Sequence, residues 1–132
     1  MAEEKELLKV GKYNLMFNDI LKTNIQDLDI YMSKGLPAHM IKRKHFKCLK
    51  YLDNISEIIT NPDYIGINPN EQDTSIELVK KYADNVMIGI KIDTNDNYLY
   101  ISTMHDIQES KIERRLHSGR LKKITIDSSQ EK

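Results

Sequence analysis

The chain has 132 residues, of which 39% are hydrophobic, and its 20 Lys and Arg balance 20 Asp and Glu, so the formal net charge is zero. This length fits one domain, and the zero net charge excludes electrostatic steering of the whole molecule onto nucleic acid. The single cysteine excludes an intramolecular disulfide and a cysteine-based zinc cluster.

No segment has the roughly 18 apolar residues of a membrane helix. The acidic beginning of the chain also lacks the apolar stretch of a signal peptide. We therefore expect a cytoplasmic protein with no membrane partner.

Patterns in the first 33 residues predict three short elements. Residues 7–13 indicate an extended segment that turns at Gly11, and residues 14–21 have a brief helical pattern. Apolar and polar residues alternate in residues 25–33, which is typical of a strand.

The next segment predicts one long helix. Pro37 suits the first helical turn, where no backbone donor is lost. Apolar residues then recur in three- and four-residue steps, at Ile41, Cys48, Leu52, Ile55 and Ile59. Because Asn61-Pro62 disfavours helical geometry before the proline, the helix should end near Thr60.

Residues 61–73 contain two prolines and a glycine and predict a loop. Thr74 and Glu77 have the spacing of a capping box, which predicts a short helix to about Tyr82.

The last third predicts a hairpin and a helix. Residues 86–92 and 98–104 have strand patterns, and turn-forming residues separate them. A helical segment follows over residues 106–117, with Gly119 as its C-terminal cap. The polar tail, about residues 127–132, is expected to be disordered. We therefore predict one α+β domain over residues 1–132, with one long helix on an antiparallel sheet of about four strands and extra short helices.

His45 is the first candidate for chemistry. It follows Ile41 by four residues on the predicted helix, where it is either a core histidine or a general acid or base facing the sheet. His39 lies near the mouth of the same groove, but the six-residue spacing does not suit a metal site. We expect no metal and no cofactor.

Three further side chains are candidates on the hairpin and after the last helix. Lys91 ends one apolar strand, while Ser102 and Thr103 interrupt the next, and alternation turns one of these two hydroxyls toward the helix. Arg120 follows the predicted cap at Gly119, where its guanidinium suits a phosphate. In isolation each is also an ordinary surface or sheet residue.

Two basic segments, the first over residues 39–50 and the second over residues 111–123, flank an acidic middle of the chain. They are candidates for binding an anionic substrate if the fold brings them together, and are otherwise solvated faces. Their candidate substrate-binding residues are Lys42, Arg43, Arg114, Arg115 and Lys122.

An ordered set of short segments resembles a known family. The segments are Val10-Gly11-Lys12, HMIKRKH at 39–45, the continuation of the predicted helix at Tyr51, NPDYIG at 61–66, a strand from Val86 to Lys91, Tyr100-Ile101-Ser102, and SGRLKK at 118–123. Over roughly residues 9–123 the chain is similar to the phage and prophage domains grouped with barnase, EndoU, the tRNA-cleaving colicins and RelE-like toxins.

The resemblance implies a metal-independent, toxin-type ribonuclease from a phage or mobile element. Its substrate would be RNA, with tRNA a candidate, cleaved through a 2′,3′-cyclic phosphate. His45 would be the principal acid or base and His39 a second one, Lys91 and Arg120 would stabilise the phosphate, and Ser102 would position it. An immunity or inhibitor protein is a further candidate partner.

Two other functions stay open. One is a non-catalytic phage or prophage binding protein that uses the same fold to hold RNA or a host protein, which the zero net charge and the lack of a barnase-type carboxylate favour. The other is a purely structural or regulatory phage component.

Overall fold

The computed structural model describes residues 6–71 and 74–124, so the predicted tail at 127–132 lies outside the described residues. The strands of this part are β1 Leu7–Lys12, β2 Asp29–Ser33, β3 Tyr64–Ile67, β4 Ser75–Lys81, β5 Asn85–Asp93, β6 Tyr98–Asp106 and β7 Leu121–Lys123. The helices are α1 Met16–Leu21, α2 Leu36–Lys42, the 3-10 helix Phe46–Asn54, α3 Ile55–Thr60 and α4 Glu109–Ser118.

The seven strands of the described residues form one mixed sheet in the order β1-β2-β6-β5-β4-β3-β7. Strands β2 and β6 are parallel, and the other neighbours are antiparallel. The expected fold, one long helix on an antiparallel sheet of about four strands, is therefore wrong.

The predicted long helix is wrong because the chain leaves helical geometry at Lys44. That residue has a φ of 63°, and the His45 N–H donates to the Met40 carbonyl at 2.8 Å. The Lys44 N–H also donates to the Ile41 carbonyl at 3.0 Å. These bonds form a Schellman motif, which closes the end of α2. The chain resumes as the 3-10 helix and α3, which ends at Thr60 as predicted.

The predicted helix after Thr74 is also wrong, because residues 75–81 form strand β4. The strand lies between β3 and β5, and residues 75–79 are all buried. Its backbone hydrogen bonds are made across the sheet, so the local capping signal is overridden by pairing with distant residues. Residues 64–67, predicted as loop, form β3.

Several local predictions are confirmed. Pro37 lies in the first turn of α2, and Gly119 caps α4 with a left-handed φ of 89°. The predicted hairpin is the antiparallel pair of β5 and β6. Within the described residues no helix is long and apolar enough to cross a membrane.

The sheet has one apolar and one polar face. Alternate residues of β4 and β5, such as Ile76, Leu78, Ile88 and Ile90, pack into the main core with α1, α2, the 3-10 helix and α3. Each fully buried side chain of this size contributes about 1.5–3 kcal/mol. The opposite face carries polar side chains, and α4 packs over one end of it on a smaller core around Ile112. The fold thus leaves a polar surface at the centre of the sheet.

Candidate functional site

A polar cleft of about 340 Å³ lies on this second face, above β4, β5 and β6. Its described lining residues are His39, Arg43, Asn68, Glu71, Ser75, Glu77, Met87, Gly89, Lys91, Ser102, Thr103, His105, Arg115 and Arg120. Among these, four are Lys or Arg and two are Glu, so the cleft has an excess of two positive charges although the molecule is neutral. This local charge favours an anionic ligand.

A buried ion pair lies in the polar cleft. The Glu77 side chain is 2% exposed, and Arg120 Nε and Nη2 donate to its two carboxylate oxygens at 3.0 and 2.7 Å. This is the bidentate geometry in which a guanidinium binds a carboxylate or a phosphate.

Arg115 is a second cation at the same carboxylate. Its Nη1 lies 3.6 Å from Glu77 Oε2, and its side chain is 17% exposed. Burial lowers the pKa of Arg115, as do the nearby charges of Arg120 and Arg114, while Glu77 raises it. Two guanidiniums thus converge on one carboxylate, in a place where an added anion would relieve their repulsion.

The register of the sheet places Glu77 in a cross-strand row with Gly89 and Thr103. Gly89 keeps the floor of the polar cleft low, because a Cβ there would lie 2.8 Å from Thr103 Cγ2 and 3.3 Å from Ser102 Oγ. The row therefore has a carboxylate at one side and hydroxyls at the other, which lie so close over Gly89 that only glycine fits between them.

Ser102 and Thr103 both line the polar cleft. The expectation that alternation would turn one of them toward the helix is wrong, because the register shifts between Gly89 and Ile90 and a bulge places an extra residue on β6. Ser102 Oγ donates to the Gly89 carbonyl at 3.2 Å.

A glycine on β3 lets Arg120 reach the cleft. Gly66 pairs with Glu77 on one side and with Leu121 on the other. A Cβ on Gly66 would lie 1.9 Å from the Arg120 carbonyl oxygen. Because only glycine permits this approach, the NPDYIG segment, which ends at Gly66, positions the guanidinium.

His105, rather than His45, lines the polar cleft. Its Nδ1 lies 2.8 Å from the Asp106 carbonyl oxygen. A carbonyl only accepts, so Nδ1 carries the donated proton and Nε2 is left to exchange one. The His45 ring is half-buried, with its centroid 5.2 Å from that of His105. Burial and the neighbouring charge of His105 lower the pKa of His45.

The fold brings together part of the predicted set. His39 and Arg43 of the first basic segment line the polar cleft with Arg115, Arg120 and the predicted Lys91 and Ser102. Lys91 Nζ lies 3.0 Å from Glu71 Oε1.

Arg114 and Lys122 lie beside the polar cleft rather than in its lining. They line a neighbouring basic groove, which shares Arg115 and Arg120 with the cleft. Lys42 is exposed at the end of α2 and lines neither cavity.

Sequence reasoning missed Glu77 and His105. Glu77 was missed because the spacing of Thr74 and Glu77 fits a capping box, which predicts a helix. Its signal was the alternation of Ser75 and Glu77 with Ile76 and Leu78, which is typical of a strand with one polar face. Among the described residues no group of three or more His, Cys, Asp or Glu could hold a metal ion.

The net-cationic cleft brings together a carboxylate that accepts two hydrogen bonds from Arg120, a histidine and two hydroxyls, which are groups that can contact an anionic ligand and exchange a proton. The chain belongs to the family described as phage-Barnase-EndoU-ColicinE5/D-RelE like nuclease3, whose model matches residues 8–114. The predicted resemblance is thereby confirmed, and membership supports a nuclease function. Arg115 and Arg120 lie beyond the matched residues. No curated protein and no solved structure matches the chain.

Proposed function

We propose that the protein is a metal-independent, toxin-type endoribonuclease, with tRNA among its candidate substrates, and that the polar cleft is its active site. The observation that carries this proposal is the Glu77 carboxylate, held by two guanidiniums in a cleft that His105 also lines. Burying such an ion pair is often no more stabilising than apolar residues of the same volume. The gathering of these charges in a cleft, where burial lowers the pKa of Arg115, instead favours a functional role.

The proposed reaction begins when an RNA phosphodiester enters the polar cleft. Its anionic oxygens accept hydrogen bonds from Arg120 and Arg115, which weakens the hold of these arginines on Glu77. The freed carboxylate accepts the proton of the 2′-hydroxyl, and the 2′ oxygen attacks the adjacent phosphorus. Lys91 and the guanidiniums offset the charge that develops on the phosphorane.

His105 completes the reaction. The bond from phosphorus to the 5′ oxygen breaks, and Nε2 of His105 donates a proton to the leaving oxygen. The products are a 2′,3′-cyclic phosphate and a 5′-hydroxyl. We assign His45, whose ring packs against His105, to positioning that ring, and Ser102 to positioning the phosphate. The reaction requires a 2′-hydroxyl, so the substrate is RNA rather than DNA.

The test is cleavage of total tRNA and of unstructured RNA in EDTA. Glu77→Gln and His105→Gln should each slow cleavage about 100-fold or more, which is typical for loss of a general acid or base. Glu113→Gln and His117→Gln are matched controls, because both side chains are exposed on α4 and neither lines the polar cleft. Wild-type products should carry cyclic phosphate ends.

His45→Gln distinguishes the two histidines in the same assay. A smaller loss than that of His105→Gln supports a positioning role for His45. Loss of cleavage with His45→Gln but not with His105→Gln would mean that His45 transfers the proton, as the resemblance implies. RNA binding without any wild-type cleavage would contradict the ribonuclease and favour the non-catalytic binding protein.

A further inference from the structure

A second cavity, of about 430 Å³, lies next to the polar cleft between β6 and the start of α2. We name it the tyrosine pocket, and its defining residues are Tyr98, Tyr100, Leu7, Leu36, His39 and Ser102. His39 and Ser102 line both cavities. Its volume is within the roughly 300–1,000 Å³ typical of small-ligand sites. A ligand bound in the polar cleft can therefore extend into this pocket.

The tyrosine pocket continues the polar cleft along β6. Tyr100 pairs across the sheet with Lys91, which lines the cleft, and Tyr98 lies two residues earlier on the same face. Tyr100 and Ser102 are about 7 Å apart along the strand, at about 3.4 Å per residue. The tyrosine side chains are therefore the next surface that a ligand meets beyond the hydroxyls.

The rings in the tyrosine pocket are fixed by one another. The Tyr98 ring packs edge-on against Tyr31 at 5.5 Å, and its centroid is 6.2 Å from that of Tyr100. Both pocket tyrosines remain half-buried. Aromatic rings that keep exposed surface in a cavity with apolar walls and polar groups, such as His39, Asp93 and Ser102, suit a flat, apolar ligand with polar edges.

We propose that the tyrosine pocket binds an unpaired nucleobase of the nucleotide adjoining the phosphate in the polar cleft, an inference that rests on the proposed function. A base inside a duplex cannot leave its stack without cost, whereas bases in loops and single strands can stack on aromatic side chains. The basic groove with Arg114 and Lys122 continues from the opposite side of the cleft and suits the sugar-phosphate backbone. The substrate is thus single-stranded or looped RNA.

The experiment measures binding of two uncleavable ligands to the full chain. One is a 2′-O-methyl dinucleotide, and the other is the same molecule with an abasic sugar at one position, tested at each position in turn. The wild type should bind the complete dinucleotide roughly 5- to 150-fold more tightly than one of the abasic forms, as expected for one stacked base. Tyr100→Leu should remove this difference without changing affinity for that abasic form, and Tyr100→Phe should keep it.

Tyr98→Leu provides a second test that does not depend on the folding of the Tyr100 variant, and circular dichroism checks both. Equal wild-type affinity for the complete and both abasic ligands would overturn the proposal, as would an undiminished difference in both leucine variants. The result is separable from the nuclease assay. RNA cleavage with no base-dependent binding contradicts only the proposal that the tyrosine pocket binds a nucleobase. Base-dependent binding with no cleavage contradicts only the proposed ribonuclease activity.

Discussion

Replacing Glu77 or Arg120 by Gln tests whether the buried pair has the geometry described. Removing one partner of a buried pair leaves the other charge uncompensated and typically costs about 3–5 kcal/mol. The carboxylate is 2% exposed, but the guanidinium is 17% exposed and reaches water, so the low end of this range applies. We expect Glu77→Gln and Arg120→Gln each to lower the free energy of unfolding by about 3 kcal/mol.

The double variant should be less destabilised than the sum of the two. Once one partner is gone, removing the other breaks no pair, so we expect a total of about 4 kcal/mol and a coupling energy of about 2 kcal/mol. Arg115 reduces this coupling, because at 3.6 Å it also contacts the carboxylate.

Urea unfolding followed by circular dichroism measures these values. With an m-value of about 1–3 kcal/mol per M, a loss of 3 kcal/mol lowers the midpoint by about 1–3 M. Glu113→Gln, exposed on α4, is the matched control and should change stability by less than about 0.5 kcal/mol. The paired geometry would be refuted if the loss of unfolding free energy in the double variant equalled the sum of the two single losses to within about 0.5 kcal/mol.

Three other predictions follow from particular residues. The Cβ that Gly66→Ala adds would collide with the Arg120 carbonyl. We therefore expect urea unfolding to show a loss of at least about 3 kcal/mol in the free energy of unfolding, and we expect RNA cleavage to be reduced. Burial lowers the pKa of His45 below 6.5, so the folded state takes up this proton less readily than the unfolded state. His45 should therefore lower the free energy of unfolding as the pH falls through 6.5 toward the pKa of His45 in the folded state. Urea unfolding between pH 8 and 5 should show that this free energy depends less on pH in His45→Gln than in the wild type. Burial also raises the pKa of the Cys48 thiol to about 12, so a thiol reagent should label it only after unfolding.

Each of these predictions has a control or a contradicting result. Gly35→Ala is the control for the stability effect of Gly66→Ala, because its Cβ would meet nothing closer than Ser33 Oγ at 3.4 Å. It is not a control for cleavage, because Gly35 lines the tyrosine pocket. An NMR titration that places the pKa of His45 at or above 6.5 would contradict the second prediction. Labelling of Cys48 in native buffer at the rate of an exposed thiol would contradict the third.

The hairpin and the helix ends could be predicted because their signals are local. Turn-forming residues separate the two strands, and Pro37 and Gly119 act within one helical turn of their own positions. Lys44 could not be identified as a helix end in this way. It occupies the left-handed position of the Schellman motif, where glycine or asparagine is usual, so no residue type marked it.

The candidate site was predicted only in part because its residues meet across the sheet. The chemistry of Lys91, Ser102 and Arg120 makes them candidates from the sequence, and the fold brings them to one cleft. Glu77 was missed because its neighbours in sequence suggest a helix, while its actual partners lie on β3 and β5 and at Arg120. A carboxylate 43 residues from its guanidinium leaves no local pattern.

The same separation orders events during synthesis. Glu77 leaves the ribosome 43 residues ahead of Arg120, which at about 5–20 residues per second is a delay of about 2–9 s. The strands β5 and β6 and the helix α4 emerge during that interval, and Arg120, which binds both oxygens of the carboxylate, emerges after them. The nascent chain therefore carries the Glu77 carboxylate without its bidentate partner until the turn after α4 has emerged.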